Sequence, residues 1–257
     1  MATVTSKDGT RIAYDKTGTG PALILVLGAF NDRSSGAALA KALEGKFTVY
    51  NYDRRGRGES GDTVPYAVER EIEDLDALVQ AAGSPVFVFG HSSGATLTLR
   101  AAYGGVAFQK MALYEPPPAY PKAAEYARQI GDLVAKGQRG EAVEFFLSGV
   151  MNMPQPVIEE QRKSPYRPSM EKMANTLVYE MTLLEPVPNG MVASLRIPTV
   201  IFDGGMASSE VMRNTARALA HDLPTARSIT LEGQGHAFAP EVVAAELEKF
   251  FITPVSG

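Results

Sequence analysis

The 257-residue sequence predicts an α/β protein, in which helices flank a mostly parallel β-sheet. Strand-like and helix-like segments alternate from residue 22 to residue 115, as expected of successive βαβ units. Residues 22–27 and 86–89 are continuous apolar runs, which is typical of strands buried on both faces of a parallel sheet. Hydrophobic residues make up 45% of the chain, enough to form a sizeable core.

The first half of the chain opens with a predicted antiparallel hairpin, residues 4–6 and 11–16, because Asp8-Gly9 supplies the turn between two β-prone runs. Strand 22–27 follows, then a helix over 37–43 and a strand over 47–52. Residues 53–60 carry three arginines. They are predicted to form a solvated turn, since the glycines lack the spacing of a phosphate-binding loop.

A helix then follows from the spacing of its apolar residues, which lie at i, i+4, i+7 and i+11: Val68, Ile72, Leu75 and Val79. Its acidic residues are predicted to form the solvent-facing side. They are Glu69, Glu71, Glu73, Asp74 and Asp76. The central strand 86–89, a helix through residues 96–102 and a strand over 110–114 complete the first part of the core.

The alternation stops at the prolines after Glu115, and helical patterns dominate up to residue 196. We therefore predict three segments: an α/β core over 1–115, a helical lid over 116–196, and a return to the core over 197–257. The clearest helix of the insertion is predicted from one stripe of apolar residues: Met170, Met173, Leu177, Met181 and Leu184. The returning core has strands at 198–202 and 227–231 and helices at 209–220 and near the end.

Composition excludes several classes of function. The net charge of -4 argues against a nucleic-acid or anionic-membrane surface, and the absence of cysteine excludes disulfides, thiolate catalysis and cysteine metal sites. The polar N-terminus lacks the apolar core of a signal peptide, and the longest apolar run is too short to span a bilayer. We expect a soluble, cytoplasmic protein that acts on a small molecule without metal or cofactor; the oligomeric state stays open.

The segment Gly90-His91-Ser92-Ser93-Gly94 lies between the central strand and a helix, a context in which a serine between two glycines projects its hydroxyl from the sheet edge. Ser92 is therefore the candidate nucleophile. A serine hydroxyl needs a base, and the chain has three histidines. His91 adjoins Ser92, His221 is predicted to be a surface residue, and His236 lies in a glycine-rich loop after the last strand, where the loops of a parallel sheet meet.

Over essentially its whole length the chain resembles the α/β-hydrolase family. The resemblance is carried by five segments in the family's order, namely residues 25–30, 53–60, 90–94, 197–202 and 233–236. It implies an eight-stranded, mostly parallel sheet with a helical cap, Ser92 as nucleophile and His236 as base. It also implies an oxyanion hole formed by the backbone N–H of Ser93 and of Phe30, or alternatively Ala29.

The chain departs from the family pattern at two places. Gly28-Ala29 stands where members commonly have His-Gly, and the usual acid position after the lid falls on Ala207 or Ser208. Some members place the acid after the strand that precedes the lid, where this chain has Glu115. Glu115 is therefore the preferred third member of the triad, with Asp203 as the alternative and a dyad without an acid as the remaining option.

The leading functional hypothesis is hydrolysis of an uncharged, small-to-medium ester or lactone through an acyl-enzyme. Carbon–carbon bond hydrolysis and perhydrolysis use the same three residue types and stay open. Two other classes are a non-catalytic small-molecule binder or receptor, since fold alone does not decide function, and a non-hydrolytic catalyst such as a cyclase or decarboxylase.

Overall fold

The structure is a computed structural model that describes residues 1–83, 85–187, 190–206 and 210–253. Its described residues form one eight-stranded sheet with the order β1-β2-β4-β3-β5-β6-β7-β8. The strands are β1 (Ala2–Thr5), β2 (Arg11–Thr17), β3 (Ala22–Val26), β4 (Thr48–Tyr52), β5 (Val86–His91), β6 (Lys110–Tyr114), β7 (Thr199–Gly204) and β8 (Ala226–Leu231). β2 pairs antiparallel with β1 and β4, and every other pairing is parallel. The predicted mostly parallel α/β sheet is thus confirmed.

Helices connect the parallel strands. They are α1 (Arg33–Leu43), α2 (Val68–Ala82), α3 (Ser93–Tyr103), α4 (Ala123–Ala135), α5 (Arg139–Gly149), α6 (Gln155–Arg162), α7 (Arg167–Lys172), α8 (Thr176–Leu183), α9 (Met191–Ser194), α10 (Glu210–Asp222) and α11 (Pro240–Ile252). Successive strands lie on opposite sides of β3, with β4 on one side and β5 on the other. The order of strands therefore reverses beside β5, and such a reversal is where ligands bind in open α/β sheets.

The central strands are apolar because both of their faces are covered. All five residues of β3 and all five of β6 are buried. On one face, Phe47, Phe87 and Phe251 pack together, and the rings of Phe87 and Phe251 stack with centroids 4.8 Å apart. Burial of each large apolar side chain stabilises the folded state by about 1.5–3 kcal/mol. The result is a rigid sheet whose carboxyl edge can hold side chains in fixed positions.

The described chain divides into two compact units. One comprises Met1–Pro118 and Val187–Gly257, and the other comprises Ala119–Pro186. The second is entirely helical in its regular structure, with α4 packed against α5 and α8. These limits differ from the predicted 116–196, chiefly because α9 packs against α3 and α10 and so belongs with the sheet. The role of the helical unit as a lid stays a prediction.

The prediction of a solvated turn over residues 53–60 is wrong. Arg54, Arg55 and Arg57 are each 2% exposed or less. Arg54 binds Glu71 through two hydrogen bonds of 2.7 Å, and Arg55 binds Asp74 through bonds of 2.7 and 2.8 Å. Guanidinium groups are buried here because carboxylates match their two-pronged geometry.

The prediction that the acidic residues of α2 all face solvent is wrong for the same reason. Glu71 and Asp74 are 2% and 1% exposed, whereas Glu69 is exposed as predicted. Burial works to raise the pKa of Glu71, but Arg54 outweighs it and the pKa of Glu71 is lowered. For Asp74 burial prevails and raises its pKa to about 6, despite the hydrogen bonds from Arg55.

The stripe from Met170 to Leu184 is not one helix. The chain ends α7 at Lys172 and begins α8 at Thr176, with a short turn between them. The N–H groups of Met173, Ala174 and Thr176 all donate to carbonyl oxygens three or four residues earlier, so the turn keeps near-helical spacing. The apolar residues therefore keep a helical spacing across the turn, and the spacing alone does not show that the helix is broken there.

Candidate active site

Backbone strain marks the predicted site. Four non-glycine residues in the described ranges have a positive φ, which costs on the order of 1–3 kcal/mol each. Three of them are predicted site residues: Phe30 at 58°, Ser92 at 56° and Glu115 at 45°. The fourth, Asn152, lies in the helical unit. Strain of this kind persists only where the surrounding structure holds it, and it accumulates at functional sites.

Ser92 lies at the sharp turn between β5 and α3. Its φ and ψ are 56° and -129°, and its N–H donates to the carbonyl oxygen of Tyr114 over 2.9 Å. The turn depends on close backbone packing, because a Cβ on Gly94 would overlap the carbonyl group of Val26. The structure thus presents Ser92 as the strand–turn–helix pattern predicts.

Glu115 and His236 meet directly, although they are 121 residues apart in sequence. Nδ1 of His236 donates to Oε2 of Glu115 over 2.6 Å. The other carboxylate oxygen accepts from the N–H of Gly204 over 3.0 Å, and the N–H of Glu115 donates to Phe202 over 2.8 Å. The side chain of Glu115 is 2% exposed and that of His236 is 36% exposed. A buried acid therefore holds the inner nitrogen of a histidine that solvent or substrate can reach.

Electrostatics keep Glu115 ionised. Burial raises its pKa, but the hydrogen bonds from His236 and Gly204 outweigh burial and leave the pKa below its ordinary value. An ionised carboxylate can only accept hydrogen bonds, so Nδ1 of His236 carries the proton. Nε2 of the neutral ring is then left with a lone pair, as a general base requires.

Asp203, the alternative acid, has different partners. It is 1% exposed, and its two oxygens lie 3.3 Å from Nε of Arg213 and 3.1 Å from Oγ1 of Thr230. One oxygen thus has its partner on α10 and the other on β8. Ala207 and Ser208, at the family's usual acid position, lie outside the described residues.

The loop that carries His236 is held at three points. The hydroxyl of Tyr114 donates to the carbonyl oxygen of Gly235 over 2.7 Å, and Nε2 of His91 lies 3.0 Å from the carbonyl oxygen of His236. Oε1 of Gln234 accepts from the N–H of Ala239, the residue before α11, over 2.7 Å. The base is therefore fixed through its backbone as well as through its ring.

His91 contacts the candidate base, whereas the sequence places it beside Ser92 and gives it no role. Its ring centroid lies 4.8 Å from that of His236 and 5.2 Å from that of Phe238. Burial, together with the neighbouring His236, lowers the pKa of His91 to about 3. His91 is therefore neutral near pH 7, and Nε2 donates because a carbonyl oxygen can only accept. Its position directly before Ser92 is the one signal that could have found it.

The predicted oxyanion loop passes close to Ser92. A Cβ on Gly28 would lie 2.8 Å from Cβ and 3.2 Å from Oγ of Ser92, so only glycine allows this approach. Ala29 and Phe30 follow in the same loop, and Ser93 is the first residue of α3, where N–H groups have no partner within the helix. These three residues stay the candidate donors. His221, the third histidine, is 88% exposed in its side chain.

The described residues contain no group of three or more histidine, aspartate or glutamate side chains that could hold a metal ion. Among the same residues, no helix is long and apolar enough to cross a membrane.

Comparison with known proteins agrees with this architecture. The model of the alpha/beta hydrolase family matches residues 23–246. The solved structure of an alpha/beta hydrolase from Sphaerobacter thermophilus is 45% identical, with a TM-score of 0.90, and the match covers 97% of this chain and 100% of that one.

Two curated relatives match over shorter stretches. The uncharacterized hydrolase YraK from Bacillus subtilis is 36% identical over 95 residues, 35% of each chain. N-formylmaleamate deformylase from Pseudomonas putida is 33% identical over 130 residues, 49% of this chain and 48% of that protein. The chain thus matches about half or less of the length of these relatives. The family match over residues 23–246 and the shared fold show that the chain belongs to the alpha/beta hydrolase family.

Proposed function

We propose that the protein is a serine hydrolase that cleaves an uncharged, small-to-medium ester or lactone through an acyl-enzyme. The observation that carries the proposal is the 2.6 Å hydrogen bond between Glu115 and His236, at the sheet edge where the strained turn of Ser92 lies. A buried carboxylate that orients a histidine is the arrangement by which serine becomes a nucleophile. Binding alone does not require a histidine that is held by a buried acid, so this arrangement favours catalysis over a non-catalytic binder.

The proposed reaction has two symmetrical halves. Oγ of Ser92 forms a bond to the substrate carbonyl carbon as its proton passes to Nε2 of His236. The N–H groups of Ser93 and of Phe30 or Ala29 stabilise the oxyanion. The bond to the leaving oxygen then breaks, and Nε2 protonates the departing alcohol. In the second half, water oxygen forms a bond to the acyl carbon as one of its protons passes to Nε2. The bond between that carbon and Oγ of Ser92 then breaks, Oγ takes the proton back from Nε2, and the carboxylic acid leaves.

Glu115 serves both halves without changing its own protonation state. It keeps the proton of His236 on Nδ1 and stabilises the ring when Nε2 becomes protonated. The N–H of Gly204 donates to Oε1 of Glu115 over 3.0 Å and so fixes the carboxylate in the orientation that this requires.

A second candidate substrate is an N-formyl amide. It is suggested by the relative named N-formylmaleamate deformylase, 33% identical over 49% of this chain. The same serine, histidine and oxyanion groups would attack a formyl carbonyl, and His236 would protonate the departing nitrogen.

The test is a substrate panel with paired variants. p-Nitrophenyl acetate, p-nitrophenyl octanoate, γ-butyrolactone and an N-formyl amide are assayed with the wild type, Ser92→Ala and Ser93→Ala. We expect ester or lactone turnover that Ser92→Ala reduces by about 10⁴-fold or more. Ser93→Ala is the matched control, because it keeps the backbone N–H and should change kcat by less than about 3-fold. Undiminished turnover by Ser92→Ala would contradict the proposal.

A further inference from the structure

Arg57 reaches from the turn after β4 to the loop after β3. It is 2% exposed, and its Nη1 donates to the carbonyl oxygen of Gly28 over 2.6 Å and to that of Asn31 over 3.2 Å. A hydrogen bond from a charged donor to a buried carbonyl is about twice as strong as a neutral one. One guanidinium therefore holds the loop at both of its ends.

Side chains other than Arg57 also donate to carbonyl groups of the loop and of the residue before it. Nδ2 of Asn31 donates to the carbonyl oxygen of Ala29 over 2.7 Å and to that of Gly28 over 3.3 Å. Nη1 of Arg54 donates to the carbonyl oxygen of Leu27 over 3.3 Å. Three consecutive carbonyl oxygens of the loop thus accept from side chains.

The orientation of these carbonyl groups decides where the loop N–H groups point. In a planar trans peptide the C=O and N–H bonds point in opposite directions. The carbonyl of Gly28 shares its peptide plane with the N–H of Ala29, so Arg57 directs that N–H away from itself. In the same way, Asn31 directs the N–H of Phe30 through the carbonyl of Ala29. Ala29 and Phe30 are the candidate N–H donors that this loop supplies to the oxyanion hole, beside that of Ser93.

We propose that Arg57 is a positioning residue for catalysis: it orients the peptide planes of the oxyanion loop, with Asn31, and so aligns the N–H groups that stabilise the reaction's oxyanion. The inference rests on the proposed serine-hydrolase function. Arg57 acts through the loop backbone and does not touch the substrate. Loss of this alignment weakens binding of the tetrahedral transition state and leaves binding of the substrate itself little changed.

Arg55 provides a matched control. It comes from the same turn and is 1% exposed, but its partners are Asp74, Asp8 and the carbonyl oxygen of Arg70. Arg55→Gln and Arg57→Gln therefore both remove a buried cation, and only the second removes a contact with the oxyanion loop. Asn31→Ala, at a partly exposed position, tests the second peptide plane with less risk to folding.

The experiment measures kcat and KM for p-nitrophenyl acetate, the inhibition constant of phenylboronic acid, which forms a tetrahedral anion on an active serine, and the thermal midpoint. We expect Arg57→Gln to lower kcat about 10- to 100-fold and to weaken boronate binding by a similar factor, with KM within about 3-fold. Asn31→Ala should shift kcat and boronate binding in the same direction. Arg55→Gln should lower the thermal midpoint and change kcat by less than about 3-fold.

Three outcomes would overturn the inference. The first is that Arg57→Gln keeps wild-type kcat and boronate affinity. The second is that Arg55→Gln loses as much kcat as Arg57→Gln, which would indicate general destabilisation. The third, decisive if Arg57→Gln does not fold, is that Asn31→Ala leaves both quantities unchanged. A wild type that neither hydrolyses the ester nor binds the boronate would instead reject the proposed function itself, and the inference with it.

Discussion

Nδ1 of His236 lies 2.6 Å from Oε2 of Glu115, a contact between the loop after β8 and the residue that follows β6. The two residues meet because parallel strands end at the same edge of a sheet. Glu115 is thus the buried carboxylate that contacts the candidate base. Asp203 contacts Arg213 and Thr230 instead.

Replacement of Glu115 by glutamine tests the third member of the triad. Glu115→Gln keeps the shape of the side chain but presents an amide to Nδ1 of His236, which favours the wrong tautomer. We expect kcat for p-nitrophenyl acetate to fall about 10³- to 10⁴-fold. Asp203→Asn is the control and should retain kcat within about 10-fold. The reverse pattern would transfer the role to Asp203.

Gly28→Ala tests the closeness of the oxyanion loop to the nucleophile. The added Cβ would lie 2.8 Å from Cβ of Ser92 and 3.1 Å from the carbonyl oxygen of His91, so the loop or the turn must move. A displacement of this kind should lower kcat about 10²-fold, as measured with p-nitrophenyl acetate. Gly45→Ala meets nothing within 4 Å and should leave kcat unchanged. Full activity of Gly28→Ala would show that the loop does not take part.

The neutral state of His91 predicts a specific pH dependence of stability. Burial lowers its pKa from the ordinary 6.5 to about 3 in the folded protein, so below pH 6.5 the unfolded chain binds a proton at this residue that the folded chain does not. The contribution of His91 to the free energy of unfolding is therefore fully present above pH 6.5 and decreases as the pH falls towards 3. The limiting slope is about 1.4 kcal/mol per pH unit for one proton.

The measurement is the free energy of unfolding by urea from pH 7.5 to 5 for the wild type and His91→Gln. Glutamine can still donate to the carbonyl oxygen of His236 but does not titrate. The difference between the two curves should show the His91 slope, because other groups such as Asp74 contribute to both proteins. His221→Gln, at a histidine whose side chain is 88% exposed, is the control substitution. Parallel curves for the wild type and His91→Gln would refute the assignment.

The buried ion pair between Arg54 and Glu71 predicts a large stability effect on one face of α2. Glu71→Gln removes the charge that Glu71 places against the buried guanidinium of Arg54 and should lower the free energy of unfolding by about 3–5 kcal/mol. Glu69→Gln, on the exposed face of the same helix, should change it by less than about 0.5 kcal/mol. Equal effects of the two substitutions in urea unfolding would disagree with the burial described here.

The strands and the candidate triad are accessible to sequence reasoning because their signals are local. Buried strands show as short apolar runs, and Ser92, Glu115 and His236 each follow a strand. The preference for Glu115 as the acid depends on the family resemblance, because Asp203 also lies at the carboxyl end of a parallel strand.

The buried arginines are different, because their partners are distant in sequence. Arg54 pairs with Glu71 17 residues later, and Arg57 contacts Gly28 29 residues earlier. Helical periodicity identifies the apolar face of α2. It does not show that Glu71 and Asp74, beside that face, are covered by the turn after β4. The break between α7 and α8 stays hidden because the turn preserves near-helical spacing.

The central claim is that Ser92 is an activated nucleophile, and labelling with a fluorophosphonate tests it most directly. The folded wild type and Ser92→Ala are treated with the reagent and digested, and the modified peptide is mapped by mass spectrometry. We expect one phosphonyl adduct on Ser92 in the wild type and none in Ser92→Ala. An unlabelled Ser92 in folded wild type, or equal labelling of the two proteins, would contradict the central claim.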